Sequence, residues 1–446
     1  MTSRVRAVIL NYTGGRHVIE AVAALLETTW PPDAFEVVVV DNASVDGSDV
    51  EIEQRFPSVQ VIRSPRNVGF PGNNLAMQAL DGVDYVALVN NDAFVAPGWL
   101  EPLVAVMDAD EHLGAACPKI LFAPAFVDVT IDTPTFRVAG DGRDLGVRLS
   151  GLEVNGVDCL RDAQLVEGFS PHEQGSAEEP MFSWSSARGL VRVPVTPGDA
   201  GPFRARMRLA GERDKQIEIT TGTTCSTTTV STAPAWYEVD LHGPGYDVVN
   251  NVGSILVELG FGADRGYLER DEGQYDEPEE VFAWCGGGVL LRADYLRTVG
   301  LFDESFFMYY EDTDLSWRGR AQGWHYRYVP NSLVRHIHAA STGESSPIFQ
   351  HYVERNRLVM LLKNAPMRLI ARAVYRYVRM VATYSIRMIA IPIAHGRRPS
   401  PRLPLRRMRS FGGFLRLAPS ATRLRRQLRR RQVVSDAELI RWMVRR

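Results

Sequence analysis

Residues 85–89, Tyr-Val-Ala-Leu-Val, form an unbroken apolar run that stops at Asn90-Asn91-Asp92. A run so short and continuous suits a parallel strand covered on both faces. In open α/β sheets, ligands sit beyond the carboxyl ends of such strands. An acid at that end can hold a divalent cation, because hard cations take carboxylate oxygens and keep room for phosphate. The same polar triplet also suits a turn or helix cap before Pro97, since Asn and Asp favour both.

The flanking sequence repeats the pattern. Residues 5–10 read as a strand that ends in Asn11-Tyr12-Thr13-Gly14-Gly15. A helix over 18–28 is expected from the spacing of Val18, Val22, Leu25 and Leu26. Residues 35–40 read as a second strand, closed by Asp41-Asn42-Ala43-Ser44, and 59–63 as a third. The loop Asn67-Val68-Gly69-Phe70-Pro71-Gly72-Asn73-Asn74 then precedes an expected helix over 75–80. Alternating strand and helix argue for a Rossmann-like, mostly parallel sheet of nucleotide-binding type.

The character changes at about Thr133. From there to Tyr246 short alternating runs, Gly, Pro and a Thr-rich stretch replace the helical signal. Evenly spaced short strands with turn signals predict an inserted β-sandwich over 133–246. Helix and strand signals return over 247–366, so that 1–132 and 247–366 form one discontinuous domain. Within it, Phe282-Ala283-Trp284-Cys285-Gly286-Gly287-Gly288 leads into a strand. Further on, Asp312 opens an expected helix to Gln322, and 324–329 forms a last strand before His336 and His338.

Charge is distributed unevenly. Residues 367–446 hold 21 Arg and two acids, a net of +19, which leaves −22 of the overall −3 for residues 1–366. An acidic body with a basic tail points to an anionic partner for the tail. Nucleic acid is set aside, because the body is acidic and no reader motif is present. Cys117, Cys159, Cys225 and Cys285 lack metal-ligand spacing, as expected of reduced cytosolic thiols. A strand begins almost at the N-terminus, where a signal peptide would otherwise lie. No stretch reaches the ~18 uncharged apolar residues of a membrane span. Between residues 368 and 394, Arg368, Arg372, Arg376, Arg379 and Arg387 share one stripe of a helix that is otherwise apolar. Such a helix can lie in a membrane interface, with Arg423 to Arg431 adding attraction to anionic lipid. The same helix could instead pack on the body with its arginines in water. The expected location is cytoplasmic, peripheral on the inner face of the plasma membrane.

Taken together and in order, the motifs Asn11-Tyr12, Asp41-Asn42-Ala43-Ser44, Asn67-Val68-Gly69-Phe70, Asn73-Asn74, Asn90-Asn91-Asp92, Gly286-Gly287-Gly288, Phe302-Asp303-Glu304, Glu311-Asp312-Thr313-Asp314-Leu315, and His336 with Ser341 resemble those of family 2 glycosyltransferases of the GT-A fold. The likeness is to bacterial rhamnosyl- and galactofuranosyltransferase-like members, over roughly residues 4–132 and 248–365. It implies an inverting transferase that uses a nucleotide diphosphate-sugar and a glycan or lipid-linked acceptor in cell-wall or surface polysaccharide synthesis.

By the same resemblance, Asn11, Asp41, Asn67, Gly69, Asn73 and Asn91 would bind the donor. Asp92 and His336 would hold Mn²⁺ or Mg²⁺, with His338 the alternative ligand. Asn90 stands where the family has an acid, which removes one carboxylate. Asp312 would be the base, with Glu311 and Asp314 as alternatives; all three also suit a helix N-terminus. Trp284, Gly286 and Gly287 would line the acceptor, and Arg355 and Arg357, after Tyr352, could reach phosphate. A nucleotidyltransferase and a non-catalytic carbohydrate-binding protein are the competing readings. The first would need a basic phosphate loop after the first strand, where only Arg16 stands near.

Overall fold

The computed structural model describes residues 2–139, 141–175, 181–337 and 346–444. They form two compact units, Met1–Leu121 with Val249–Arg446, and Phe122–Val248.

The first unit is built on a mixed sheet. Strands Gln60–Arg63, Phe35–Asp41, Val5–Asn11 and Tyr85–Asn90 are neighbours in that order and run parallel. Gly288–Arg292 continues the sheet antiparallel to Tyr85–Asn90, followed by Leu113–Phe122 and His325–His336. The sheet is thus parallel on one half only, less so than the sequence pattern predicts. Its central strands are covered on both faces. Ile9, Val39 and Val89 meet the Gly15–Leu26 and Leu100–Asp108 helices, whereas Val8, Val38 and Leu88 meet Trp284, Val289 and Tyr295. This double burial is why those strands read as continuous apolar runs. The register pairs Asn11 with Asp41 and Leu10 with Asn90, which brings three polar strand ends to one edge. The helix expected over 75–80 is shorter: a 3₁₀ turn Phe70–Asn73 and one α-turn Asn74–Met77.

The unit Phe122–Val248 is all β and begins earlier than the change at Thr133, because strand Ala125–Asp132 belongs to it. It is one ten-stranded sheet folded over a common core rather than two separate sheets. The long strand Met181–Val195 makes the fold: Ser183 and Trp184 pair with Arg148–Val154, and residues 188–195 pair with Ala125–Asp132. Val129, Leu149, Val191, Met207 and Ile217 fill the space between the halves.

The tail is integral to the first unit. Helices Pro347–Asn364, Met367–Ser385 and Arg402–Arg431 are followed by Asp436–Arg441 and a two-residue strand, Met443–Val444, parallel to Ser254–Val257. Leu358, Ile370, Tyr377, Phe414 and Leu439 share a core with Leu256, Phe282 and Trp317.

Candidate active site

Asn11 is the knot of the donor edge. It is fully buried, and its Nδ2 donates to Ser48 Oγ at 2.8 Å, Ser44 Oγ at 3.1 Å and Asp41 Oδ1 at 3.3 Å. Its Oδ1 accepts from Gly14 N at 3.2 Å. Asp41 Oδ2 accepts from Ser44 N. Asn42 Nδ2 donates to Asn67 Oδ1 at 3.0 Å and to Gly69 O at 3.1 Å, and Asn42 Oδ1 accepts from Val68 N. Side chains thus substitute for ladder hydrogen bonds where the strands stop. Asn91 lies against the same turn, since a methyl on Gly14 would stand 2.7 Å from both Asn91 Nδ2 and Asn11 Oδ1. Asn73 is buried and donates to Phe70 O, whereas Asn74 exchanges two hydrogen bonds with the backbone of Phe302.

Gly69 is expected from sequence to approach a nucleotide, yet its close neighbour is protein. At φ +74° it packs on Phe307 so tightly that a Cβ would lie 1.8 Å from the Phe307 carbonyl oxygen. Phe70 N donates to that oxygen at 2.7 Å. The glycine allows two loops to touch.

Asp92 and His336 meet across the sheet edge. His336 Nε2 lies 3.0 Å from Asp92 Oδ1 and 3.3 Å from Asn90 Nδ2, while Nδ1 faces Asn250 Oδ1 at 3.2 Å. Burial works to raise the Asp92 pKa, but His336 outweighs it and holds the carboxyl below the usual range, with help from His17. Among the described residues no three His, Cys, Asp or Glu side chains cluster as a metal cage. An Asp–His pair still fits one divalent cation whose other positions go to phosphate and water. His338 and Ser341 lie outside the described residues.

The third group is the start of helix Glu311–Ala321. Asp312 is half-buried; its Oδ2 accepts from Gly286 N at 3.3 Å and its Oδ1 from Thr313 N at 2.6 Å. Burial raises its pKa, against the pull of those N–H groups. Glu311 is buried more completely, with Oε2 lacking a partner, and burial beside Asp312 pushes its pKa far up. Glu311 is closed off from an acceptor hydroxyl, whereas Asp312 is half-open and held by the Gly286 and Thr313 N–H groups, so the geometry favours Asp312 as the base. Asp314 is spent in a buried network with Arg318 at 2.9 Å and Lys363 at 2.8 Å. Gly286 and Gly287 connect the halves of the site: Gly286 touches Asp312, and a Cβ on Gly287 would lie 3.6 Å from Asn90 Nδ2 and 3.7 Å from His336 Cε1.

Three expectations are corrected here. Trp284 is fully buried, edge-on to Phe302 at 6.0 Å between centroids, so no ring face is open to a sugar. Arg355 Nη2 donates to Ser305 O and Phe306 O, each at 2.8 Å. Arg357 is buried and donates to Leu259 O at 2.7 Å. Both guanidiniums are occupied by backbone rather than offered to phosphate.

Other members were not singled out from sequence. Asn250 orients His336 and keeps a buried Nδ2 without a protein partner. Asp264 adds negative charge near Asp312 and Cys285. The signal for Asn250 was present, as Asn250-Asn251 interrupts an apolar run where the α/β pattern resumes. The loop before Glu311 is strained: Phe307, Tyr309 and Tyr310 all have left-handed φ, 66°, 66° and 70°. Each such residue costs about 1–3 kcal/mol and persists only where its surroundings force it.

A mixed sheet with polar strand ends, an Asp–His pair and an acid at an opposing helix start is the arrangement expected from the glycosyltransferase resemblance of the sequence. Two stretches match glycosyltransferase families: residues 7–125 match the model for glycosyl transferase family 2, and 233–391 that for glycosyl transferase family group 2. It is 46% identical over 69 residues to an N-acetylglucosaminyl-diphospho-decaprenol L-rhamnosyltransferase of Mycobacterium tuberculosis, covering 15% of this chain and 22% of that protein. It is 23% identical over 203 residues to the poly(ribitol-phosphate) beta-N-acetylglucosaminyltransferase TarS of Staphylococcus aureus, covering 42% of this chain and 33% of that one. The chain thus spans a third or less of the length of these curated relatives. Among solved structures, GalNAc-T7 with UDP, GalNAc and Mn²⁺ aligns with a TM-score of 0.44 at 14% identity, over 81% of this chain and 48% of that one.

Proposed function

We propose that the protein is an inverting glycosyltransferase that moves a sugar from a nucleotide diphosphate-sugar to a hydroxyl of a glycan or lipid-linked glycan. The observation that carries this is the half-open Asp312 carboxylate, joined through Gly286 and Gly287 to the Asp92–His336 pair. Asp312 takes the proton of the acceptor hydroxyl. The acceptor oxygen bonds to the anomeric carbon while the carbon–phosphate oxygen bond breaks, its electron pair leaving with the nucleoside diphosphate. One displacement with one base inverts the anomeric centre. Asp92 and His336 would hold Mn²⁺ or Mg²⁺, which when bound neutralises the leaving diphosphate. Asn11, Asp41, Asn67, Gly69, Asn73 and Asn91 shape the donor edge. The mycobacterial relative, which acts on a diphospho-decaprenol-linked sugar, supports a lipid-linked acceptor and a role in cell-wall or surface polysaccharide synthesis. A panel of UDP-, GDP- and dTDP-sugars with Mn²⁺ and a decaprenyl-diphosphate-linked sugar tests the reading. Acceptor-dependent release of one nucleoside diphosphate is expected, and no release from any donor overturns it.

The tail would place this chemistry at the inner face of the plasma membrane. Helix Met367–Ser385 packs on the body through Ile370, Ala373 and Tyr377, so the packing reading of this helix is part of the answer. Its outer surface carries two adjoining stripes. Met367, Tyr375, Val378 and, one residue past the helix, Ile386 are exposed apolar residues, within about 100° of one another around the axis. Arg368, Arg372, Arg376 and Arg379 lie alongside, exposed, with Glu258 pairing Arg372 at 2.8 Å and Arg376 at 3.9 Å. Among the described residues no helix is long and apolar enough to cross a bilayer. Apolar and cationic stripes side by side suit an anionic lipid surface. The second basic block contributes less than its arginines suggest, because Arg425 and Arg429 cap the carbonyls of Ala365 and its neighbours. Full-length protein should sediment with phosphatidylglycerol vesicles and not with phosphatidylcholine vesicles. At about 1 kcal/mol per basic residue, the double reversal R368E/R379E should weaken that binding at least ~10-fold, and V378D/I386D should weaken it at all salt concentrations. Equal sedimentation of wild type and both variants would sink the assignment. Deleting the tail is not a usable control, because it strips Tyr377, Phe414 and Leu439 from the shared core, at roughly 1.5–3 kcal/mol for each large apolar side chain.

A further inference from the structure

Helix Pro347–Asn364 presents Arg355 and Asn356 to the underside of the loop that precedes the Glu311-Asp312 helix start. Asn356 is fully buried, and its Nδ2 lies 2.9 Å from Phe306 O, 2.8 Å from Met308 O and 2.8 Å from Tyr309 O. Arg355 Nη2 donates to Ser305 O and Phe306 O. The remaining carbonyl of the run, that of Phe307, accepts from Phe70 N beside Gly69. Five consecutive carbonyls are therefore pinned, four of them by two adjacent side chains of one helix. The pinned segment holds the left-handed residues Phe307, Tyr309 and Tyr310. Tyr310 is also the residue from which helix Glu311–Ala321 starts, at φ 70° and ψ −3°. Helices ordinarily start from an extended residue, so the direction in which Asp312 leaves this loop depends on the loop being held.

We infer that Asn356 is a positioning residue for Asp312: its amide fixes the 305–310 loop in the conformation that sets the base against Gly286 and the donor loop against Phe307. This rests on Asp312 being the base. The clamp itself is tested separately by a structural readout.

The test uses the full chain with whichever donor the nucleotide-release panel identifies. Asn356→Ala should lower kcat about 30- to 100-fold with the donor KM within about threefold, and deuterium uptake should rise in residues 305–312. The discriminating variant adds Tyr309→Gly. Glycine takes a positive φ freely, so the loop no longer needs the clamp at that position. Tyr309→Gly in the Asn356→Ala background should recover kcat at least ~10-fold, while Tyr309→Gly alone gives no gain. Should Asn356→Ala fold poorly, Arg355→Met, which frees the Ser305 carbonyl, leaves Phe306 O to Asn356 and removes the 2.8 Å hydrogen bond from Arg355 Nε to Asn356 Oδ1, should show the same localised exchange with a smaller loss of kcat. The inference is overturned if Asn356→Ala keeps kcat within threefold, if the added glycine recovers nothing, or if exchange rises throughout the protein instead of in this loop. Full activity of Asp312→Asn would instead remove the base reading, with the exchange data still deciding the clamp.

Discussion

Asp312→Asn should lose transfer by about 10³-fold or more while binding the nucleotide diphosphate-sugar as wild type does. The upper part of the usual range for general base catalysis, about 10²–10⁴-fold, is expected because Asn keeps the shape and can accept only one of the two backbone N–H groups, from Gly286 or Thr313, and cannot take up the proton. Donor affinity is spared because the Asp312 carboxylate accepts from Gly286 and Thr313, whereas Asn11 and Asp41 bond to each other and to Ser44 and Ser48. The pH profile gives a second reading. Burial raises the Asp312 pKa above the ordinary aspartate value, and the base works only when deprotonated. Activity in the wild type should therefore fall as pH drops through that raised pKa, at a pH above where an exposed aspartate would titrate. The sign for stability is opposite: the unfolded chain ionises Asp312 more readily, so this group disfavours the folded state as pH rises above about 3.8. In Asp312→Asn both dependences should vanish. Near-normal turnover with an intact acid limb would move the base to Glu311.

Asp92→Ala should cost about 10²–10³-fold in turnover with added Mn²⁺, and EDTA should reduce the wild type to a similar floor. Asp92 is the only carboxylate in contact with His336 among the described residues, and Asn90 supplies none. With Asp92 the one strong ligand from this loop, its removal takes away the carboxylate a hard cation prefers. His336→Ala should be milder, since Asp92 and the donor phosphates remain. Mn²⁺ binding followed by electron paramagnetic resonance should weaken in the same order. Unchanged turnover of wild type in EDTA would remove the metal from the reaction.

The parallel half of the sheet and its polar edge were legible in sequence because double burial forces unbroken apolar runs, and those runs end in Asn and Asp. Asp312 and His336 could be placed by order along the chain. The environment of each residue could not. Trp284 reads as a sugar platform or a core residue equally well, and burial decides. Arg355 and Arg357 look like phosphate ligands until their backbone partners are seen. Asn356 gave no signal, because a lone Asn within a helical pattern says nothing about carbonyls some fifty positions away in the chain. Gly69 was legible as a point of close approach, but what approaches it was not. The start of the all-β unit is hidden in the sequence because only Ala123-Pro124 separates strand Leu113–Phe122 from strand Ala125–Asp132.

The core shared by Trp317, Phe282 and the last helices has a consequence for how the protein is made. Leu256, Phe282 and Trp317 leave the ribosome well before Phe414 and Leu439, the side chains that cover them. At typical rates of synthesis the stretch from Trp317 to Leu439 takes on the order of 10 s to appear. Once strand His325–His336 has also emerged, the nascent chain carries its sheet with one apolar flank uncovered until Leu439 appears, a surface suited to a holdase chaperone. A message truncated before Leu439 would release a product with that flank permanently bare, marked for aggregation or proteolysis although its catalytic motifs were complete.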